Sequence, residues 1–315
     1  MFDVKRKNAL KNSGFATKKT KRLLFYLSVV ILPMIQFAIF YVGVNFRNIL
    51  LAFQSYDIRQ GTYNWDGLNN FLAVFNDIAS LPFFFKAIQN SLIFFACSWG
   101  LGVTLGLLFS FYIYKKFTGS NFFKVILFLP SIVSEIVMVL MYKYFVENAV
   151  PNIISSLTGN DRVFGLLSNP NTAYATLLFY NIWFSFGGTV LMYSGTMSGI
   201  DPAIVEAAVI DGITPIKEFW YITLPMIYPT MVVLLSTGVV GLFTNQMGLY
   251  SFFGAEAEPN LYTLGYYLYK ETQTNLESPA RFPYLSAFGL LLTVVATPLT
   301  YLVKNLMEKF GPSVE

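Results

Sequence analysis

The run Ser198-Gly199-Ile200-Asp201-Pro202-Ala203-Ile204-Val205-Glu206-Ala207-Ala208-Val209-Ile210-Asp211-Gly212-Ile213-Thr214-Pro215 has the grammar of two short helices. Asp201 offers a side-chain acceptor to the free N–H groups of a first turn, and Pro202 stands where a missing N–H costs nothing. The helix can continue through Val205, Ala207, Ala208 and Val209 until Gly212, which supplies the left-handed backbone that commonly ends helices. Thr214 and Pro215 repeat the start signal. A second helix over about 215–221 then leads into Ile222-Thr223-Leu224-Pro225. Pro225 and Pro229 mark the beginning of a long apolar run, because proline is cheapest in a first turn.

Outward from this run the chain reads as lipid-soluble. Of its 315 residues 55% are hydrophobic and only 12% charged, with a mean hydropathy of +0.55, where an ordinary soluble domain carries roughly a quarter charged residues. Apolar stretches of spanning length predict six transmembrane helices, at about 23–44, 88–113, 123–145, 174–194, 228–247 and 284–303. The fold class is therefore all-α and polytopic, with one six-span membrane domain over 23–310 and a short C-terminal tail, 311–315. Residues 1–22, with eight Lys and Arg and few apolar side chains, read as a flexible basic tail. The first apolar stretch is too long for a signal peptide and lacks a small-residue cleavage site after it.

Placing the N-terminus in the cytoplasm puts about 14 of the 21 Lys and Arg on that side, including Lys115, Lys116, Lys124, Lys217, Lys304 and Lys309. Positive charge near span ends is retained on the cytoplasmic side, so both termini and the 195–227 segment are expected there. Trp65, Trp99 and Trp183 can serve as interfacial anchors or as plain packing.

Chemistry within the chain is hard to build. There is no histidine, which removes the usual proton shuttle and the commonest metal ligand, and the single cysteine, Cys97, lies in an apolar run. No phosphate-binding G-x-x-x-x-G-K-[ST] run occurs. The expectation is a chain that is not an enzyme and holds no metal or cofactor of its own.

Glu206-Ala207-Ala208, Gly212 after three intervening residues, and Ile222, Leu224 and Pro225 together resemble the EAA loop of ABC importer permeases. The surrounding residues are similar to the maltose-type, carbohydrate-uptake branch: Asn90-Ser91, Pro130, Asn181 with Trp183, Ile210-Asp211-Gly212, Phe219 and Tyr262-Thr263-Leu264-Gly265. The resemblance covers about 23–310. It implies a type I importer permease in the bacterial inner membrane, with the loop at about 198–225 docking into a cleft of an ATPase subunit. Glu206, Ala207, Ala208, Asp211, Gly212, Leu224 and Pro225 are then the coupling residues. It also implies a transport subunit that leaves ATP and Mg to its partners, which are a second homologous permease, two ATP-binding subunits and an extracellular binding protein. The landing surface for the binding protein would lie on the outer loops, at Gln54, Tyr56, Asp57, Tyr63, Trp65 and 256–270. Lipid and protein, not nucleic acid, are the expected surroundings.

Polar side chains inside spans are costly and usually face a cavity or a partner, so Gln36, Glu135, Asn181, Ser185, Asn245 and Gln246 are candidates for the solute path. Asn181 and Asn245 resemble sugar-lining positions of the maltose-type permease. Phe184, Ser185, Gly188 and Gly238 align with further lining positions but differ wholly or partly in residue type. Amides and aromatic faces suit hydroxylated rings, and equally serve as interhelical glue. Glu135, near the middle of the third predicted span, can pair with the partner permease, line the path, or stay protonated in a packed interface. The main reading is an ATP-driven sugar or oligosaccharide importer subunit. An importer for an amino acid, phosphate or metal is one alternative, and an ion-coupled secondary transporter another.

Overall fold

The computed structural model describes residues 2–159 and 163–312. Five of its helices are long and apolar enough to cross a membrane: span 1 (Lys18–Leu51), span 2 (Pro82–Tyr114), span 4 (Pro170–Met197), span 5 (Pro215–Phe253) and span 6 (Phe282–Phe310). A bent pair, Ser120–Ile132 and Glu135–Thr158, supplies span 3. The chain is thus an all-α, multi-pass membrane protein. One antiparallel hairpin, β1 (Gln54–Asp57) and β2 (Thr62–Trp65), lies between spans 1 and 2.

The basic segment read as a tail is helical from Phe2 and continuous with span 1 through Gln36. Span 1 buries nothing over its apolar window, so Leu23, Phe25, Leu32 and Phe40 are all exposed. Only lipid or another protein can cover such a surface. Its Val44–Leu51 end packs onto span 6.

Two expectations need correcting. Span 3 is not one helix over 123–145: it bends by 103° at Val133 and Ser134, both of extended backbone. Pro130 weakens the helix ahead of the bend, and Ser134 Oγ accepts the Val137 N–H to restart it. Glu135 accordingly sits in the first turn of a new helix, where the helix dipole favours a carboxylate. The second helix of the quoted run is likewise not separate. Pro215–Glu218 passes through a π-helical turn, Phe219–Thr223, straight into Leu224–Thr244, so Pro225 and Pro229 lie within span 5. The wide turn stands immediately ahead of Pro225, where the missing N–H breaks the ordinary hydrogen-bond ladder.

Span 5 is interrupted in turn at 245–248, where Met247 and Gly248 take positive φ, before the short helix Leu249–Phe253. Span 4 packs against span 2 and the first half of span 3, and span 5 against span 6. At Gly187 the backbone of span 4 meets that of span 3 so closely that a Cβ would overlap the Leu127 carbonyl oxygen. Buried apolar side chains form two clusters. The larger gathers Phe84, Ala87, Leu177, Tyr180, Met247, Tyr266 and Phe288, and the smaller Leu107, Phe111, Tyr193, Met197, Phe219 and Ile227 beneath the 198–225 segment.

Candidate functional site

The helix Pro202–Ile210 forms as its sequence dictates. Asp201 Oδ1 accepts the Ala203 N–H at 2.9 Å. At the other end Gly212, at φ +78°, donates to Val209 O (3.0 Å), and Ile213 donates to Ala208 O (3.1 Å). These two bonds are the Schellman closure, and they need the left-handed residue between them. No residue of this helix is buried, and Ile204, Val209 and Ile210 are exposed beside Glu206 and Ala207. Asp211 is exposed and Ala208 half-buried. Among the described residues Glu206 makes no hydrogen bond or ion pair. A nine-residue helix, capped at both ends, therefore seats Val205 against the smaller core cluster and offers Ile204, Val209, Ile210 and one free carboxylate to the outside. Leu224 instead packs into the smaller core cluster, and Pro225 is half-buried at the base of span 5.

A cavity of about 310 Å³ lies between spans 2, 4 and 5. Of the residues expected on a path, Asn181, Ser185, Gly238 and Asn245 line it. Asn181 Nδ2 donates to Leu177 O (2.9 Å) on its own helix and to Met247 O (2.8 Å) across the span 5 interruption. It is therefore interhelical glue and cavity wall together. Asn245 Oδ1 accepts the Met247 N–H at 2.7 Å, while its amide nitrogen makes no hydrogen bond among the described residues. Span 2 contributes Phe95, Ser98, Trp99 and Gly102. Trp99, read as an interfacial anchor or packing, lines this wall, with its ring 4.7 Å from that of Phe95. Its indole N–H is buried without a partner, and a Cβ at Gly238 would come 3.0 Å from that nitrogen. No charged side chain lines the cavity.

Five expected path residues lie elsewhere, among them Gln36, which is exposed on span 1. Phe184 stacks on Tyr180 at 5.6 Å within the larger core. Gly188 is exposed, with nothing within 4 Å of a would-be Cβ. Gln246 sits in the span 5 interruption, its Oε1 buried and unpartnered. Glu135 accepts a hydrogen bond from Ser251 Oγ (3.2 Å), and Lys143, on the same half-span, donates to Phe252 O (3.1 Å). Both thus hold the Leu249–Phe253 helix and stand apart from the cavity wall.

Asn90-Ser91 and Tyr262-Thr263-Leu264-Gly265, far apart in sequence, meet beside this interruption. Asn90 Nδ2 donates to Asn260 O (2.8 Å) and Tyr262 O (2.9 Å), and Ser91 Oγ accepts the Leu264 N–H. Thr263 Oγ1 donates to Asn245 O at 2.8 Å. Tyr266 donates to Gly254 O, and burial pushes its pKa up to about 12, so it stays a neutral donor. Thr263 and Tyr266 satisfy the Asn245 and Gly254 carbonyls that the broken helix would otherwise leave bare, and so the knot fixes Asn245 at the cavity.

Residues 101–315 match the family model described as binding-protein-dependent transport system inner membrane component. The polygalacturonan/rhamnogalacturonan transport system permease protein YteP of Bacillus subtilis (strain 168) is 26% identical, over 94% of both chains. The sn-glycerol-3-phosphate transport system permease protein UgpA of Salmonella choleraesuis (strain SC-B67) is 27% identical, over 90% of this chain and 96% of that one. In shape the chain resembles one from the crystal structure of a bacterial ABC transporter involved in the import of the acidic polysaccharide alginate. The TM-score there is 0.75 at 23% identity, covering 93% of this chain and 98% of the other.

Proposed function

Because this chain belongs to the family of binding-protein-dependent transport system inner membrane components, we propose that it forms half of the translocation path of an ATP-driven importer for an uncharged oligosaccharide. In this reading Pro202–Ile210 docks into an ATPase subunit on the cytoplasmic face, and both termini lie on that face. A second permease and an extracellular binding protein complete the assembly, with the 1–22 segment outside the membrane domain. The observation that carries the reading is the doubly capped helix around Glu206, none of whose residues is buried and whose Ile204, Glu206, Ala207, Val209 and Ile210 face outward, with Val205 alone packed against the smaller core cluster. Ala207 and Ala208 let such a helix seat closely in a cleft, and Glu206 supplies a carboxylate for a basic residue at its rim.

The cavity supports the solute class. Its amides, hydroxyls and aromatic faces suit hydroxylated rings. A carboxylate or phosphate would have to shed water there without any cation in this chain's wall to compensate it. The likeness to UgpA, whose name specifies sn-glycerol-3-phosphate, favours a small anionic solute as the second reading. The test is uptake into proteoliposomes holding the whole assembly. The expected result is ATP-dependent, ionophore-insensitive uptake of labelled neutral oligosaccharides that uronate-containing oligosaccharides do not compete away. Uptake that ignores ATP and collapses with ionophore would reject the importer reading, and competition by uronates or glycerol phosphate would reject the solute class.

A further inference from the structure

Glu218 is the only charged residue that is buried among the described residues. It belongs to the short helix that carries the coupling segment into span 5, and its partner lies 103 positions earlier. Lys115 Nζ stands 2.8 Å from Glu218 Oε2 and 3.0 Å from Oε1, with the two side chains 20% and 2% exposed. Lys115 terminates the helix of span 2, where a cation also suits the helix dipole. One turn earlier on span 2, Phe111 meets Phe219 edge to face at 5.0 Å. An ionic and an aromatic contact thus join the same two elements side by side.

A buried ion pair is a poor stabiliser, because desolvation takes back most of the attraction, but it holds two elements in one relative geometry. What it holds here is span 2. That span carries Phe95, Ser98 and Trp99, the cavity wall opposite spans 4 and 5. Sixteen residues separate Trp99 from Lys115, roughly 24 Å along a helix.

We propose that Lys115 and Glu218 are positioning residues that bolt the coupling segment to span 2, so that its displacement by the ATPase reaches the cavity wall through span 2 as well as through span 5. The proposal rests on the docking reading above. The neighbouring Lys116, at φ +51°, turns the chain immediately after the pair.

The chain's single cysteine provides a reporter that needs no knowledge of the solute. Cys97 lies on span 2, two residues before Trp99, and is half-buried. In the complete assembly with cysteine-free partners, its maleimide labelling rate is measured with and without trapping by ATP and vanadate. The wild type is expected to change rate on trapping, on the order of fivefold or more. Lys115→Met, Glu218→Gln and the apolar pair Lys115→Met with Glu218→Leu are expected to lose that change while trapping nucleotide normally. The charge swap Lys115→Glu with Glu218→Lys is expected to restore it. Should the single variants fail to assemble, the apolar pair and the swap decide. A wild-type rate indifferent to trapping overturns the proposal, as does an apolar pair that responds like the wild type or a swap that does not recover. Failure of the wild type to trap nucleotide at all would instead strike the docking reading beneath it.

Discussion

Replacing Gly212 separates backbone geometry from bulk at the Pro202–Ile210 helix. Its φ of +78° lies in the left-handed region, and a Cβ there would meet nothing within 4 Å, so a side chain adds conformational cost without collision. For alanine that cost is about 1–2 kcal/mol, and asparagine, which tolerates this region, carries less. If the docked state requires the Schellman closure, the population of correctly ended helix falls by roughly 5- to 30-fold in Gly212→Ala. The dissociation constant of the ATPase subunits should rise by that factor, read by titrating them onto the permease in nanodiscs. Gly212→Asn should stay close to wild type. Equal harm from Ala and Asn would implicate bulk, and wild-type affinity in both would refute the requirement for a left-handed residue.

Gly187→Val should lower the thermal unfolding midpoint in detergent, by overpacking worth about 1–3 kcal/mol against Leu127, while Gly188→Val, facing open space, leaves it unchanged. Trp99→Leu should raise the half-saturating concentration for oligosaccharide uptake by roughly two- to tenfold, the equivalent of the ~0.5–1.5 kcal/mol of an aromatic contact, with assembly intact. An unaltered value would remove Trp99 from the path. Glu135→Gln keeps an acceptor for Ser251 and loses only a charge at a helix start, worth about 0.3–1 kcal/mol, so uptake should stay within a few fold. A collapse of uptake in this variant would place the charge itself on the route or against the partner permease.

The features legible in the sequence were those written in contiguous residues. Asp201 and Pro202 begin a helix and Gly212 ends it, because capping is a local matter of one acceptor, one missing N–H and one positive φ. The spans were legible because hydrocarbon thickness sets their length. The break in span 3 was not, since the apolar run continues across it and hydropathy cannot register a 103° turn. Its signals were Pro130 and the capping residue Ser134, and with the break overlooked Glu135 read as a mid-span charge. The cavity was half legible. Amides in spans 4 and 5 drew attention as costly polar groups, whereas Trp99 resembled any membrane tryptophan until its position opposite Gly238 became visible. The Lys115–Glu218 pair and the Asn90 knot join residues 103 and more than 160 positions apart, and no local pattern encodes such a meeting.

The central claim is that the exposed helix around Glu206 is the handle gripped by an ATPase. The direct measurement is disulfide or short-linker crosslinking from Glu206→Cys, in a Cys97→Ser background, to single cysteines around the cleft of the ATPase subunits in the purified assembly. The account predicts a crosslink at Glu206→Cys that forms from the cytoplasmic side and is absent for a cysteine placed in the Gln54–Asp57 strand. Labelling of Glu206→Cys by an impermeant reagent added outside intact cells, with no crosslink to the ATPase, would contradict it.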